Sequence, residues 1–212
     1  MIRLFQRLLV ALTLALTLAA CAQLQAEWSS DEAVAAARHV HGGAPELTLV
    51  TILHRDSGRG EHTSLFINGR ERVLFDPAGS WRPEGLAKRG DVIYGMSKGV
   101  GLSYYLSHVR ETHYAVVQRL AVSEDVADQA KALALANGAV AAGRCASSTS
   151  KVLRQLPGFE TVRSTFFPQN LMRSFAEIPG VQTYELHHDD SDVRLKAWRV
   201  QEPLSVVALS DG

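Results

Sequence analysis

The strand-like segments of this chain constrain its fold most, because they are short, strongly apolar and separated by turn signals. Residues 46–54 read ELTLVTILH, residues 61–67 read EHTSLFI and residues 72–76 read RVLFD. Short runs of β-branched and aliphatic side chains favour strands. The Asn68-Gly69 pair predicts a hairpin between the second and third segments. THYAVVQRLAV, at 112–122, predicts a further strand.

Helical patterns are interspersed with these strands and follow them. A Ser-Glu-Asp cap opens a long alanine-rich helix predicted at 123–136. A second helix is predicted from about Cys145 to Leu156, where Pro157 stops it. Shorter helices are predicted at 29–38, at 101–110 and just before Pro179. Without an internal repeat or a linker to a second domain, the pattern predicts one mixed α+β domain.

The N-terminus has the features of a secretory signal. Arg3 and Arg7 precede an uncharged apolar run that ends at Ala20 and is too short for a comfortable membrane span. The run closes on Leu-Ala-Ala-Cys, which resembles the bacterial lipobox, whose cysteine is diacylated and becomes the new N-terminus. The resemblance implies lipidation of Cys21 and a membrane as partner through that anchor. An ordinary signal peptide or an uncleaved anchor is the alternative.

The expected organisation follows from this signal. Residues 1–20 form the signal peptide, residues 21–45 carry the lipidated cysteine, a tether and a short helix, and residues 46–212 form the domain. Ala22 follows the cysteine where an aspartate would indicate retention at the inner membrane. The resemblance therefore points to the cell envelope, at the periplasmic face of the outer membrane.

Composition limits the partners of the mature chain. The full sequence has 22 basic and 22 acidic residues, and the only charged residues of the signal are two arginines, so the mature net charge is near −2. The chain has no excess of basic residues, so its charge does not favour nucleic acid as a partner. About 190 residues suffice for one domain with a real core. With Cys21 lipidated, Cys145 has no disulfide partner, and a lone thiol in an oxidising envelope is a liability unless it is buried or used.

Cys145 lies where a helix is predicted to begin. There the exposed backbone N–H groups and the positive end of the helix dipole lower the pKa of a thiol. Thr149, Val152 and Leu156 fall on roughly the same face, so this stripe is expected to pack and to hold the sulfur at its edge. The pattern is typical of a nucleophile, although most lone cysteines are simply small buried hydrophobes.

A nucleophilic cysteine needs a base, and the base needs an orienting group. Among eight histidines, His62 lies on a predicted strand, where an imidazole is held rigidly, and Asp76 ends the partner strand. A two-residue turn at Asn68-Gly69 would pair His62 with Phe75 and place Asp76 on the opposite face, whereas an odd-length loop or a bulge restores a shared face. The sequence does not choose between these registers. His113 is the substitute base.

EHTSLFINGRERVLFDPAGSW, RCASSTSKVLRQLPGF and FFPQNL together resemble the circularly permuted branch of the NlpC-type papain-like cysteine hydrolases, to which the lecithin–retinol acyltransferase group belongs. The likeness covers roughly residues 47–179. It implies a permuted papain-like α+β fold in which an antiparallel sheet packs against the nucleophile-bearing helix. It also implies that His62, Asp76 and Cys145 are catalytic, in the family's order, and that no metal or organic cofactor is needed. The third polar residue is usually histidine in this family, so Asp76 is a departure from the commonest pattern.

Three functions from different classes stay open. The first is a cell-wall hydrolase that cleaves a peptide amide of peptidoglycan, and the second is an acyl hydrolase or acyltransferase that acts on lipids. The third is a non-catalytic envelope lipoprotein that uses the fold for binding or structure. HHDDSD, at 187–192, lacks the spacing of a known metal site and is interpreted as a solvated loop. The oligomeric state is not predicted.

Overall fold

The structure, a computed structural model, describes residues 27–81 and 83–204. The predicted signal, Cys21 and most of the apolar stretch LSVVAL lie outside these residues. The elements of the described part are, in chain order, α1 (Asp31–Ala37), β1 (Glu46–His54), β2 (Gly60–Asn68), β3 (Arg72–Phe75), β4 (Lys88–Arg89), β5 (Val92–Ile93), α2 (Lys98–His108), β6 (His113–Ala121), α3 (Glu124–Asn137), α4 (Cys145–Leu153), α5 (Pro168–Ala176), β7 (Gln182–Leu186) and α6 (Val193–Arg199).

The strands form one seven-stranded sheet in the order β4-β5-β3-β2-β1-β6-β7, and all neighbouring pairs are antiparallel. β1 pairs with β2 on one side and with β6 on the other, and its first eight residues are buried. A strand buried on both faces reads as a continuous apolar run rather than as an alternation, which accounts for the composition of ELTLVTILH. The predicted mixed α+β class is confirmed.

Helices cover both faces of the sheet. One core joins β1 and β2 to α3, α4 and α5 through side chains such as Leu49, Leu65, Ala130, Val152 and Phe175. The other core lies on the opposite face, where β1, β2 and β6 pack against α2 and α6. The three alanines of α3 that face the sheet, at positions 127, 130 and 134, are fully buried, because a small side chain lets the helix approach closely.

Serine caps begin three helices, of which α1 and α3 begin close to where the sequence predicts them, whereas α2 begins at Lys98, three residues before the predicted start. The side chains of Ser30, Ser97 and Ser123 accept hydrogen bonds from the first-turn N–H groups of α1, α2 and α3. α4 begins at Cys145 as predicted and ends at Leu153, with turn geometry continuing to Leu156. No helix in the described ranges is long and apolar enough to cross a membrane.

Two elements near the C-terminus were not predicted. β7 pairs with β6 at the edge of the sheet, and four of its five residues are exposed, so its sequence QTYEL carries little apolar signal. α6 follows the charged loop at 187–192 and buries only Ala197. Both elements are held mainly by their neighbours, which local sequence patterns do not report.

Candidate active site

Cys145 is the first residue of α4, and its side chain is buried, with 5% of the residue exposed. Thr149, Val152 and Leu156 are buried below it, as predicted, and fix the helix against the sheet. Unlike α1, α2 and α3, α4 has no side-chain cap, since Arg144 at the N-cap position makes no capping hydrogen bond. The first-turn N–H groups of α4 therefore stay available to other acceptors. The backbone N–H groups of Ala146 and of Thr63 on β2 lower the pKa of the Cys145 thiol.

His62 lies on β2, beside an irregularity in the pairing of β1 and β2. Ile52 pairs with His62, but the next residue of β1, Leu53, pairs with Gly60. A bulge of this kind bends the strand and redirects side chains, and bulges are common next to active sites. The His62 side chain is 16% exposed and lies close enough to Cys145 for each of the two groups to shift the pKa of the other. The structure therefore brings together the predicted base and the predicted nucleophile.

Asp76 directly follows β3, and loop length decides on which face of the sheet it lies. The residues between the paired Asn68 and Arg72 number three, so the hairpin has an odd-length loop. Leu65 pairs with Phe75, so continuing the register by one residue places Asp76 opposite Ser64. Ser64 is two residues from His62 on the same strand, and Asp76 therefore lies on the His62 face of the sheet. Nε2–H of His62 donates to Oδ1 of Asp76 at 2.6 Å. This bond leaves Nδ1 of the imidazole for Cys145.

The backbone around Asp76 holds its carboxylate in place. The Asp76 N–H donates to the carbonyl of Asp91 at 2.8 Å, and the Gly79 N–H donates to the carbonyl of Asp76 at 3.0 Å. A Cβ at Gly79 would lie 1.8 Å from Oδ2 of Asp76, a distance that no real contact allows. Position 79 therefore has to be glycine for the Asp76 carboxylate to keep this position.

The three side chains form one electrostatic unit. Burial lowers the pKa of His62, but its hydrogen bonds to Asp76 and Cys145 and their negative charges outweigh that effect and raise the pKa to about 9. Burial raises the pKa of the Cys145 thiol, but the His62 hydrogen bond and charge, with the N–H groups of Thr63 and Ala146, hold it below its ordinary value. A raised imidazole pKa beside a lowered thiol pKa describes a thiolate–imidazolium pair.

A pocket of about 300 Å³ opens next to His62 and is lined in part by Glu61, His108 and His113. His108, which no sequence motif singles out, stacks on His62 with ring centroids 6.0 Å apart and an angle of 13° between the rings. Nδ1–H of His108 donates to the Tyr104 carbonyl at 2.8 Å, and burial lowers the pKa of His108. Its Nε2 is therefore unprotonated at neutral pH. Tyr104 and His108 are four residues apart on α2 and therefore share one face of the helix. This spacing is the sequence signal that could have placed His108 beside the site.

His113, the substitute base, is not in the position of a base. Its Nε2 bonds Oε2 of Glu61 at 2.8 Å, and its Nδ1 bonds Oγ1 of Thr112 at 2.8 Å. Both ring nitrogens are thus engaged away from the thiol.

The polar side chains of the HHDDSD segment bond the loop itself and the elements next to it. Asp190 accepts from the backbone N–H of His187 at 3.1 Å and pairs with Lys196 at 2.9 Å, while His187 pairs with Glu185. Across the described residues, no group of three or more His, Cys, Asp or Glu side chains is arranged to hold a metal ion. Tyr104 and Tyr105 are buried in the core.

Comparisons with protein-family models, with curated proteins and with solved structures found no match for this chain.

The arrangement has the parts that acyl transfer requires. A thiolate at a helix N-terminus supplies the nucleophile, and an imidazolium in contact with it supplies a proton donor. A buried carboxylate orients the imidazole. The uncapped first turn of α4 offers N–H groups where negative charge would develop on a substrate oxygen.

Proposed function

We propose that this chain is a cysteine hydrolase that acts by acyl transfer on an amide or ester. The observation that carries the proposal is the chain of contacts from Cys145 to His62 to Asp76, which spans α4, β2 and the end of β3. A nucleophile, a base in contact with it and a group that orients the base are the features by which such sites are recognised.

The reaction begins with attack of the Cys145 thiolate on the substrate carbonyl carbon, which forms a C–S bond. The oxyanion lies against the N–H groups of the first turn of α4. The His62 imidazolium gives its proton to the leaving nitrogen or oxygen as the C–N or C–O bond breaks, and a thioester remains on Cys145. Water then attacks the thioester with His62, now neutral, as base. The acid product leaves, and the thiolate–imidazolium pair is restored.

The resemblance in the sequence extends the proposal to fold and location. A permuted papain-like fold of the NlpC type is consistent with a histidine strand that precedes a cysteine helix, and with an antiparallel sheet that packs against that helix. The lipobox-like LAAC supports a location on the cell envelope, with the anchor at Cys21. A peptide amide of the cell wall is the proposed substrate.

An acyl ester or amide of a lipid is the second candidate substrate. Phe166 and Phe167, on the segment that leads into α5, are 61% and 59% exposed. Adjacent exposed aromatic side chains near the nucleophile helix are suited to contact with a lipid surface.

The test of the catalytic unit is the alkylation of Cys145 by iodoacetamide in the full-length chain, in detergent, with Cys21→Ser so that one thiol reports. We expect rapid reaction near pH ~6, where a free thiol of pKa about 8.5 is almost entirely protonated. His62→Ala should slow it at least about tenfold. His113→Ala is the matched control from the same pocket wall and should leave the rate unchanged. Equal rates in the parent chain and in His62→Ala would refute the dyad.

The substrate class is tested separately with the parent chain and Cys145→Ala. Release of free amine from purified peptidoglycan supports the cell-wall amidase, and release of fatty acid from phospholipid vesicles supports the lipid hydrolase. Release that persists in Cys145→Ala would rule out this thiol as the nucleophile.

A further inference from the structure

A second and larger pocket runs along α4, on a different face of the helix from the buried Cys145 stripe. Its volume is about 620 Å³, and its walls include Arg144, Ser147, Ser148, Lys151, Arg154 and Phe166. On a helix, positions 144, 147, 148, 151 and 154 recur every three or four residues and therefore share one face. The pocket thus follows the nucleophile helix from its first turn to its end.

The walls of this pocket are positively charged. Within the described residues, Arg144, Lys151 and Arg154 have no carboxylate within 4.0 Å, in contrast to the cations that form ion pairs elsewhere in the fold. Residues 138–176 contain five basic side chains and one acidic side chain, in a chain with equal numbers of the two overall. A concave surface lined by one sign of charge focuses its field and concentrates ligands of opposite charge.

The distances along the helix relate this charge to the nucleophile. Arg144 immediately precedes Cys145, and Ser147 and Ser148 lie in the same first turn. At about 1.5 Å of rise per residue, Lys151 lies roughly 9 Å along the axis from Cys145, and Arg154 roughly 13 Å. An anionic group held by these cations would therefore lie several bonds from a carbonyl at Cys145, and the long basic side chains shorten that separation by reaching back along the helix.

We propose that this pocket is a subsite for an anionic group, a carboxylate or a phosphate, on the acyl substrate of Cys145. The inference rests on the proposed hydrolase function and specifies its substrate class. Arg144, Lys151 and Arg154 bind the anion, and the exposed ring of Phe166 contacts the apolar atoms between the anion and the reacting carbonyl. Guanidinium groups suit both oxyanions, because their paired N–H groups match two oxygens at once.

The test uses thiol reagents that carry the same reactive end and differ only in charge. They are the N-iodoacetyl derivatives of 4-aminobutyrate, of its primary amide and of 3-aminopropyl phosphate, applied to the full-length Cys21→Ser chain. We expect at least one anionic reagent to alkylate Cys145 about tenfold faster than the neutral amide at low ionic strength, and salt to reduce that ratio. A preference for the carboxylate indicates a peptide-like source of the anion, and a preference for the phosphate indicates a phosphorylated one such as a lipid headgroup.

Charge variants locate the effect. Lys151→Gln with Arg154→Gln should bring the ratio close to one, whereas Arg194→Gln with Arg199→Gln removes the same charge from α6 and should preserve it. Arg194 and Arg199 are exposed, and neither forms an ion pair within the described residues. Because loss of structure would also bring the ratio close to one, each variant has to keep the parent rate with the neutral amide near pH ~6 for its ratio to count.

A ratio near one in the parent chain, or a ratio that survives Lys151→Gln with Arg154→Gln, would overturn the subsite. Failure of the proposed hydrolase looks different, since the neutral amide itself would then react no faster than an ordinary thiol allows near pH ~6.

Discussion

Nε2 of His62 lies 2.6 Å from Oδ1 of Asp76, although the two residues are on different strands. Asp76 is 1% exposed, so its charge acts on the imidazole with little screening by water. This contact, with the one to Cys145, raises the pKa of His62 to about 9. The electrostatic state of the nucleophile therefore depends on a carboxylate that does not react.

Asp76→Asn should lower the pKa of His62, because the amide keeps the shape of the carboxylate and removes its charge. The pKa of Cys145 should rise in turn, and each unit of that rise reduces the thiolate present below its pKa about tenfold. The histidine pKa is measured from the pH dependence of the His62 ring NMR signals, and the thiolate from alkylation near pH ~6. Asp189→Asn, an exposed carboxylate paired with Arg55, is the control and should change neither.

The pH dependence of turnover should be bell-shaped. On the acid side, activity rises as the Cys145 thiol ionises, and the lowered pKa of that thiol places this limb below the pH at which an ordinary thiol ionises. On the alkaline side, activity falls as His62 loses the proton that the leaving group needs, near its pKa of about 9. The two limbs belong to the coupled pair. Initial rates of amine release across this range give the profile, and a rate that keeps rising beyond pH ~10 would contradict it.

Gly79→Ala should mimic the loss of Asp76 without removing any charge. The new Cβ would lie 1.8 Å from Oδ2, so the Asp76 carboxylate has to move and its bond to His62 has to lengthen. We expect slower alkylation near pH ~6. Gly99→Ala is the matched control, since the nearest atom to its Cβ is 3.9 Å away. It lies in α2, where alanine is better tolerated than glycine.

Thr149→Val should leave stability unchanged or raise it slightly. The Thr149 hydroxyl is buried in α4 and has no hydrogen-bond partner among the described residues. Thr63→Val is the opposite case, because the Thr63 hydroxyl donates to the Val50 carbonyl at 3.2 Å and its loss should cost about 1 kcal/mol. Urea unfolding of both variants gives their free energies of unfolding. A larger loss of stability for Thr149→Val than for Thr63→Val would contradict the claim that the Thr149 hydroxyl has no hydrogen-bond partner.

Arg119→Met should destabilise the fold by about 3–5 kcal/mol, because it leaves Glu46 buried without its partner. Arg119 and Glu46 form an ion pair across β6 and β1, and each side chain is 3% exposed. Arg119→Met with Glu46→Gln should recover part of the loss, since the buried Glu46 charge is then removed as well. Denaturant unfolding of the single and double variants completes the cycle. Equal stability of the two variants would contradict the pairing.

The sequence alone determined the elements that carry the site. Apolar β-branched runs defined β1, β2, β3 and β6, and serine caps located α1 and α3, because these signals are local and need no distant partner. The start of α4 at Cys145 and the strand position of His62 followed from the same kind of pattern. β7 and α6 escaped prediction because contacts with neighbours, rather than their own composition, hold them.

Tertiary structure decided whether those elements make a site. A hairpin loop of three residues rather than two, seen between Asn68 and Arg72, puts Asp76 on the His62 face. Because side chains alternate along a strand, one residue more or less in a loop moves every later side chain to the other face. The stacking of His108 on His62 and the opposed pKa shifts of His62 and Cys145 likewise depend on distances between elements. The order of residue types along the chain defines the candidate site residues. Only the packing of the elements brings the charges of those residues within a few ångströms of one another.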